Sequence, residues 1–168
     1  MLVVFGGRPG VGKTTIAAEV ARRSRANFVR VDSVETGIVR AGLTSSADTG
    51  IAGYAVAHQV VRSMLLEGLD VVVDAVNPIA VARRAWVDLA GELDVDHLHV
   101  AHLGIEVVCS DERLHRSRIE SRRPDLPGHV MPTWDDVVSL EYEPWTDADM
   151  TLDSATSVDD GEIGRAHV

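Results

Sequence analysis

The chain has 168 residues and a formal net charge of −10, from 16 Lys and Arg against 26 Asp and Glu. Its length predicts a single domain over residues 1–168, burying about two-thirds of the surface of the unfolded chain. The acidic balance disfavours nucleic acid and anionic membranes as partners. One cysteine, Cys109, allows no internal disulfide. Without a targeting-type N-terminal segment or an apolar run that could span a bilayer, the sequence predicts a cytoplasmic protein.

The N-terminal region combines an apolar run with a glycine-rich loop. Leu2 to Phe5 is typical of a buried parallel strand, and Thr14 to Arg25 of the helix that follows. Between them, Gly7 to Thr14 matches the pattern G-x-x-x-x-G-K-[ST] at every fixed position. The backbone N–H groups of such a loop, and the helix N-terminus, bind phosphate. The pattern therefore predicts a nucleoside triphosphate site formed by Gly7, Arg8, Pro9, Gly10, Val11, Gly12, Lys13, Thr14 and Thr15.

Two side chains of this loop have distinct predicted roles. Lys13 is expected to reach the β- and γ-phosphates, and the Thr14 hydroxyl is a candidate Mg²⁺ ligand. The alternative is a glycine-rich turn that matches the pattern by chance. The strand before the loop and the helix after it disfavour that alternative.

The rest of the chain alternates predicted strands and helices. Further strands are predicted at 27–31, 70–74, 103–109 and 150–152. Helices are predicted at 33–41, 51–68, 78–91, 111–122 and 133–142, with weak helical character in the tail from Ala155. Ser33 or Asp32, and Ser110, are the predicted caps of two of these helices. Because the strands are apolar throughout, we expect a parallel sheet covered by helices on both faces.

Two carboxylates end predicted strands of this sheet. Asp32 follows the second strand and Asp74 follows the third. Ligands of open parallel sheets lie outside the carboxyl ends of the strands, so both should face the phosphate loop. Each could hold Mg²⁺ through water, accept the proton of an attacking hydroxyl, or simply cap the next helix.

A cluster of arginines follows the fourth predicted strand. Its members are Arg113, Arg116, Arg118, Arg122 and Arg123. Arg118 and Arg122 are four residues apart and share a helix face, where they could neutralise charge on a migrating phosphoryl group. The alternative is a solvated face, with these arginines paired to neighbouring acids. Prolines and a glycine in 123–129 predict a loop, so about 113–133 is predicted to form an arginine-rich lid.

These motifs together resemble the small P-loop kinases, the group of chloramphenicol phosphotransferase, gluconate and adenylylsulfate kinases and zeta toxins. The resemblance rests on the phosphate loop, Val31-Asp32-Ser33, Val73-Asp74 and the arginine-rich segment, and covers residues 1 to about 153. It implies a three-layer α/β P-loop NTPase fold with a five-stranded parallel sheet in the order 2-3-1-4-5 and an arginine-rich lid. It also implies that Asp32 is the base and that Arg118 and Arg122 are lid arginines.

The main hypothesis is an ATP- and Mg²⁺-dependent kinase that phosphorylates a hydroxyl of a small molecule. Nucleotide-dependent switches and mechanical ATPases are the second class, although Asp74 precedes Ala75 rather than Glu and no guanine-binding motif occurs. A kinase of a nucleic-acid 5′-hydroxyl or of another macromolecule is the third. Gluconate and shikimate kinases carry a paired acid in the strand-two region, and zeta toxins carry an Arg soon after the Asp. This chain departs from both patterns, with Glu35 three residues after Asp32 and no such Arg until Arg40, so the acceptor is unassigned. Tyr54 and His58 are expected to pack in the core, Cys109 to be buried, and Arg83 and Arg84 to be exposed.

Overall fold

A parallel sheet is the centre of the molecule. The computed structural model describes residues 1–43, 49–95, 99–124, 126 and 130–156. Within these residues the strands pair in parallel in the order β2-β3-β1-β4-β5. The strands are β1 (Leu2–Gly6), β2 (Asn27–Arg30), β3 (Val71–Asp74), β4 (His102–Val108) and β5 (Met150–Asp153). The predicted five-stranded sheet and its order are confirmed.

Helices cover both faces of the sheet. In chain order they are α1 (Lys13–Ser24), α2 (Val31–Arg40), α3 (Thr49–Leu66), α4 (Ala80–Val95), α5 (Glu112–Ser121) and α6 (Trp134–Ser139). Leu2 and Val4 of β1 pack in the core on the side of α3 and α4, and Val3 and Phe5 in the core on the side of α1. Burial on both faces is why these strands are continuously apolar. Among the described residues, no helix is both long and apolar enough to span a membrane.

Strand register brings the predicted carboxylate of β3 beside the phosphate loop. Phe5 of β1 and Arg30 of β2 both pair with Asp74. Asp74 therefore ends the strand between β1 and β2, next to the residues that open the loop. All three strands end at one edge of the sheet, as parallel pairing requires.

Several predicted boundaries and contacts were wrong. Strand β2 ends at Arg30, so Asp32 lies in the first turn of α2, and the side chains of Asp32 and Ser33 do not cap it. The α5 cap is Asp111, which accepts from the Leu114 N–H, and not Ser110. Helix α4 passes through Gly91, which shows that a glycine does not by itself end a helix packed on a sheet.

Arg83 and Cys109 also differ from expectation. Arg83 is buried. Its guanidinium donates to four backbone carbonyls, which compensate for the loss of water, and these are the carbonyls of Asn77, Pro78, Glu143 and Pro144. Arg84 is exposed as predicted and pairs with Asp88. Cys109 is half-buried. A capping box formed by Thr133 and Asp136 starts α6, close to the predicted start of that helix at residue 133. The predicted helical tail begins at Ala155, and its residues from 157 onward lie outside the described structure.

Candidate functional site

The glycine-rich loop connects β1 to α1 at the carboxyl edge of the sheet. Gly7 has φ 141° and lies so close to the Val107 carbonyl that a Cβ would overlap it. Gly12 has φ 96° and precedes the first residue of α1. Both positions therefore require glycine. The first turn of α1 contains no acid, so its free N–H groups and the helix dipole leave an electropositive end open to an anion.

Side-chain hydrogen bonds of Arg8 and His115 connect the loop to α5 and α6. Arg8 donates to the carbonyls of Val137 and Leu140, at 2.7 and 3.0 Å, and so caps the C-terminal end of α6. The Nε2 of His115 lies 2.7 Å from the Pro9 carbonyl and must donate to it, since a carbonyl can only accept. The Arg8 side chain is thus directed at α6, which leaves its backbone N–H for the predicted phosphate role.

Lys13, the first residue of α1, is the only lysine in the chain. Its side chain is buried, with 6% of the residue exposed. Burial lowers the pKa of Lys13, while the nearby Asp74 and Asp32 carboxylates oppose that shift. A buried ammonium beside carboxylates at a helix N-terminus is a strong point charge for an oxyanion.

The two predicted carboxylates lie in this same group, but in different environments. Asp74 exposes 2% of its side chain and Asp32 exposes 22%. Arg30, which sequence reasoning did not select, lies between them, with 3.2 Å from its Nη2 to Asp32 Oδ2 and 3.8 Å from its Nε to Asp74 Oδ2. Asp32 is therefore the carboxylate that a second ligand can reach.

Asp74 and Thr14 fit a magnesium site. Both carboxylate oxygens of Asp74 are buried and accept no hydrogen bond from the described residues. Burial raises the pKa of Asp74, and the Thr14 hydroxyl lies near enough to lower it without reaching hydrogen-bond geometry. Mg²⁺ prefers oxygen ligands and retains several waters, so a carboxylate and a hydroxyl beside a phosphate site suit it.

A cleft of about 640 Å³ lies beside the loop and the first turn of α1. It is lined by Gly10, Gly12, Lys13, Thr14, Thr15, Ile16, Arg118, Ser121, Arg122, Arg123, Ser154 and Thr156. Arg118 donates to the hydroxyl and the carbonyl of Ser154, at 2.8 and 3.0 Å, and the Ser154 hydroxyl donates to the Val11 carbonyl at 2.6 Å. Arg118 therefore links α5, the end of β5 and the loop. Arg122 is close enough to Lys13 to lower its pKa.

The structure brings most of the sequence-predicted residues together. Lys13, Thr14, Asp74 and Asp32 form one group, and Arg118 and Arg122 line the adjoining cleft. Among the remaining arginines, Arg123 also lines it, whereas Arg116 is exposed and paired with Glu120.

Three further residues were missed. Arg30 and His115 carried no motif in the sequence, but Ser154 follows β5, and the strand-end rule that selected Asp32 applies equally to it. A fourth residue, Asn77, immediately precedes the predicted helix at 78–91 and was not selected either. It is buried, its N–H donates to the Tyr54 hydroxyl and its side chain bonds the Phe5 carbonyl and the Trp86 indole.

A parallel sheet in this order, with a glycine loop between β1 and α1, defines the P-loop NTPase fold. The chain belongs to the AAA domain family, whose sequence profile matches residues 2–138. None of the curated proteins matches the chain by sequence.

Several solved structures with the same fold are named as kinases. A proposed kinase from Chloroflexus aurantiacus j-10-fl is 18% identical, with a TM-score of 0.73 and coverage of 94% of this chain and 91% of the other. The APS kinase of Mycobacterium tuberculosis, bound to AMPPNP and APS, is 18% identical with a TM-score of 0.68, covering 93% and 89%. A gluconokinase from Sinorhizobium meliloti 1021 is 18% identical with a TM-score of 0.62, covering 92% and 82%. The chain thus has the fold of the small P-loop kinases.

Proposed function

We propose that the protein is an ATP- and Mg²⁺-dependent phosphotransferase that moves the γ-phosphoryl group to a hydroxyl of a small molecule. The observation that carries the proposal is the grouping of Lys13, Asp74 and the accessible Asp32 at the N-terminus of α1. It combines charge that can hold a triphosphate with a carboxylate that a second substrate can reach. The kinase names of the structures that share the fold support this reading.

On the donor side, the loop N–H groups and Lys13 would bind the phosphates. Thr14, with Asp74 acting through water, would hold Mg²⁺, which neutralises charge on the phosphate oxygens when bound. Arg118, Arg122 and Arg123 line the cleft, and a guanidinium suits the charge of a migrating phosphoryl group.

On the acceptor side, Asp32 is the base that we propose, because Asp74 is almost fully covered. The acceptor oxygen attacks the γ-phosphorus as the bond from that phosphorus to the β,γ-bridging oxygen breaks. The acceptor proton passes to the Asp32 carboxylate, and ADP leaves with the electron pair of the broken bond. Arg30, at 3.2 Å, holds the Asp32 carboxylate in place.

The decisive experiment measures ATP consumption across a panel of hydroxylated metabolites, nucleosides and antibiotics, followed by Asp32→Asn on the acceptor found. We expect Asp32→Asn to lower turnover by at least about 10²-fold while nucleotide affinity stays within about two-fold, because general-base catalysis contributes about 10²–10⁴-fold. Full turnover by Asp32→Asn would overturn the base assignment. ATP hydrolysis that no hydroxyl compound stimulates, with ATP-dependent binding of a protein partner, would favour a switch instead.

A further inference from the structure

The residues around Asp32 on β2, α2 and α3 include a second acid. We call this group the acceptor wall and define it as Arg30, Asp32, Glu35 and Tyr54. Asp32 and Glu35 are three residues apart on α2 and share a face. Asp32 raises the pKa of Glu35, and both carboxylates raise the pKa of Tyr54, as expected of groups that lie close together. The wall therefore contains two carboxylates and one guanidinium.

That guanidinium is already engaged by acids. Arg30 is held between Asp32 and Asp74 and exposes 8% of its side chain. Once Lys13 faces phosphates and Asp74 faces Mg²⁺, the wall keeps Arg30 against Asp32 and leaves Glu35 as an acid that no described cation pairs with. A carboxylate, sulfate or phosphate on the acceptor would face two acids and no available cation.

The other described cations are committed or distant. Arg8 and Arg83 bond backbone carbonyls, and Arg118 bonds Ser154. Arg122 and Arg123 line the nucleotide cleft. On α2, Arg40 is five residues past Glu35, which is about 7.5 Å along the helix and about 140° around it, and on α3, Arg62 is eight residues past Tyr54, about 12 Å along the helix. Outside the described structure, residues 44–48, 96–98, 125 and 127–129 contain no Lys or Arg, and residues 157–168 contain one, Arg165.

Glu35 is half-buried and packs against α3. It packs against Gly53 of α3 so closely that a Cβ there would overlap its Cγ, and its Oε1 is 4.0 Å from the position of a Cβ on Gly50. No hydrogen bond or ion pair to its carboxyl is formed by the residues that the structure describes. Burial, and secondarily Asp32, raise the pKa of Glu35 to about 7. A bound cation would stabilise the charged form of such a half-buried carboxyl by pairing with it.

The acceptor wall adjoins the position at which Asp74 would serve Mg²⁺, so it borders a place that a ligand is expected to occupy. Both oxygens of the buried Asp74 carboxylate lack a hydrogen-bond partner among the described residues, next to Arg30 and Lys13. The acids of the wall thus adjoin a polar group that is itself incomplete, in a fold whose ligands bind at this edge of the sheet.

Resting on the proposed function, we propose that the acceptor is a hydroxyl compound that also carries a positively charged group, such as a protonated amine, and that Glu35 binds that group. Asp32 then receives the hydroxyl proton while Glu35, one helical turn further, pairs with the cation. Glu35 is the residue that selects acceptors by charge.

The test uses matched sets of acceptors that share a skeleton and differ in one group. Suitable sets are glucosamine, glucose and glucuronate, and 2-aminoethanol, ethylene glycol and glycolate. ADP formation and calorimetric binding in the presence of Mg²⁺ and a non-hydrolysable ATP analogue are measured for each. We expect the amine to be preferred over its neutral partner by about 10- to 100-fold in binding or kcat/KM, the size of one charge-assisted contact, with the acid weakest.

Glu35→Gln keeps the shape of the side chain and removes its charge. We expect it to bring the amine-to-neutral ratio close to one. Glu67→Gln, an exposed glutamate just past α3, is the matched control and should leave the ratio unchanged. Partial return of the preference in Glu35→Asp would separate charge recognition from simple support of the α2–α3 contact.

The outcomes separate this inference from the proposed function. Preference for neutral or acidic members, absence of binding by every amine, or an amine preference that Glu35→Gln leaves intact would each overturn the inference. These outcomes would leave the proposed donor site standing, provided that ATP binds and that Lys13→Ala weakens its binding. Failure of ATP to bind would overturn the proposed function itself.

Discussion

The phosphate loop and the acceptor wall are built in opposite ways. The loop is eight consecutive residues, Gly7 to Thr14, and its proposed chemistry comes from backbone N–H groups and a single lysine. The wall is assembled from side chains of β2, α2 and α3 that lie far apart in sequence. A backbone cradle tolerates little variation because close approach demands glycine, whereas a side-chain wall can change its charge with single substitutions. The donor site should therefore be rigidly specified and the acceptor site open to change.

The largest effect is expected at Lys13, which distinguishes the donor side most sharply. Lys13→Ala should lower phosphoryl transfer by about 10³-fold and weaken nucleotide binding by about 10- to 100-fold, since one charge-assisted contact contributes about 1.5–3 kcal/mol to binding and more in the transition state. Turnover and calorimetry with an ATP analogue measure both. Arg23→Ala, exposed at the far end of α1, is the control. Unchanged nucleotide affinity in Lys13→Ala would remove the basis of the donor assignment.

Asp74→Asn tests whether the buried carboxylate serves the metal rather than the acceptor. We expect the Mg²⁺ concentration for half-maximal activity to rise by at least about 10-fold, because an amide oxygen carries no charge for a water-bound dication. Mg²⁺ titrations of activity and of nucleotide binding provide the measurement. A change in acceptor KM with an unaltered Mg²⁺ requirement would assign Asp74 to the acceptor wall.

Arg118→Ala tests the wall opposite the loop. Loss of the three-way link to Ser154 and Val11 should weaken nucleotide binding by about 10-fold, in line with one or two lost charge-assisted hydrogen bonds. The matched control is Arg116→Ala on the same helix, which removes only an exposed pair with Glu120 and should change affinity less than two-fold. Equal effects of the two substitutions would mean that the α5 arginines act through general charge alone.

The sequence allows the residues of the phosphate loop to be selected, but not contacts between distant parts of the chain, for a physical reason. A phosphate loop needs a fixed pattern within eight residues, so Gly7, Gly12, Lys13 and Thr14 could be identified without tertiary structure. The partners of Arg83 in residues 143–144 lie about 60 positions away in the chain, and a linear pattern contains no sign of them. This is why that arginine was predicted to be exposed.

Boundaries failed where two elements meet without a loop. The change from β2 to α2 occurs between Arg30 and Val31, and the β-branched Val31 and the capping-type residues after it favoured a longer strand and a later helix. Asp32 still faces the site, because the first turn of α2 begins at the sheet edge. Its predicted position was right in space and wrong in secondary structure.

The smallest effect concerns the dependence of stability on pH. The folded-state pKa of Glu35, about 7, lies above the ordinary value of 4.5 for a glutamate, so the folded state binds the proton more tightly. Stability should therefore fall as pH rises from about 4.5 to above 7. Glu35→Gln should remove this part of the fall, by about 1 kcal/mol after allowance for solvent screening.

Urea unfolding at pH 5 and pH 8 measures this difference. Glu67→Gln serves again as the control, because its exposed carboxyl should leave the pH profile of the wild type in place. An identical slope in Glu35→Gln and wild type would show that the carboxyl is solvated, and would weaken the case for a cation at the acceptor wall.

A single lysine in the whole chain makes the donor cleft chemically addressable. Amine-selective acylating reagents can modify only Lys13 and the N-terminal amino group, and the latter is paired with Asp70 at 2.5 Å. Lys13 is buried beside the phosphate loop, so a nucleotide bound there should shield its amine further from the reagent. Labelling stoichiometry in intact-mass spectra, with and without nucleotide, would therefore report occupancy of one cleft directly, and any lysine acylation in the cell would act as an off-switch at that same atom.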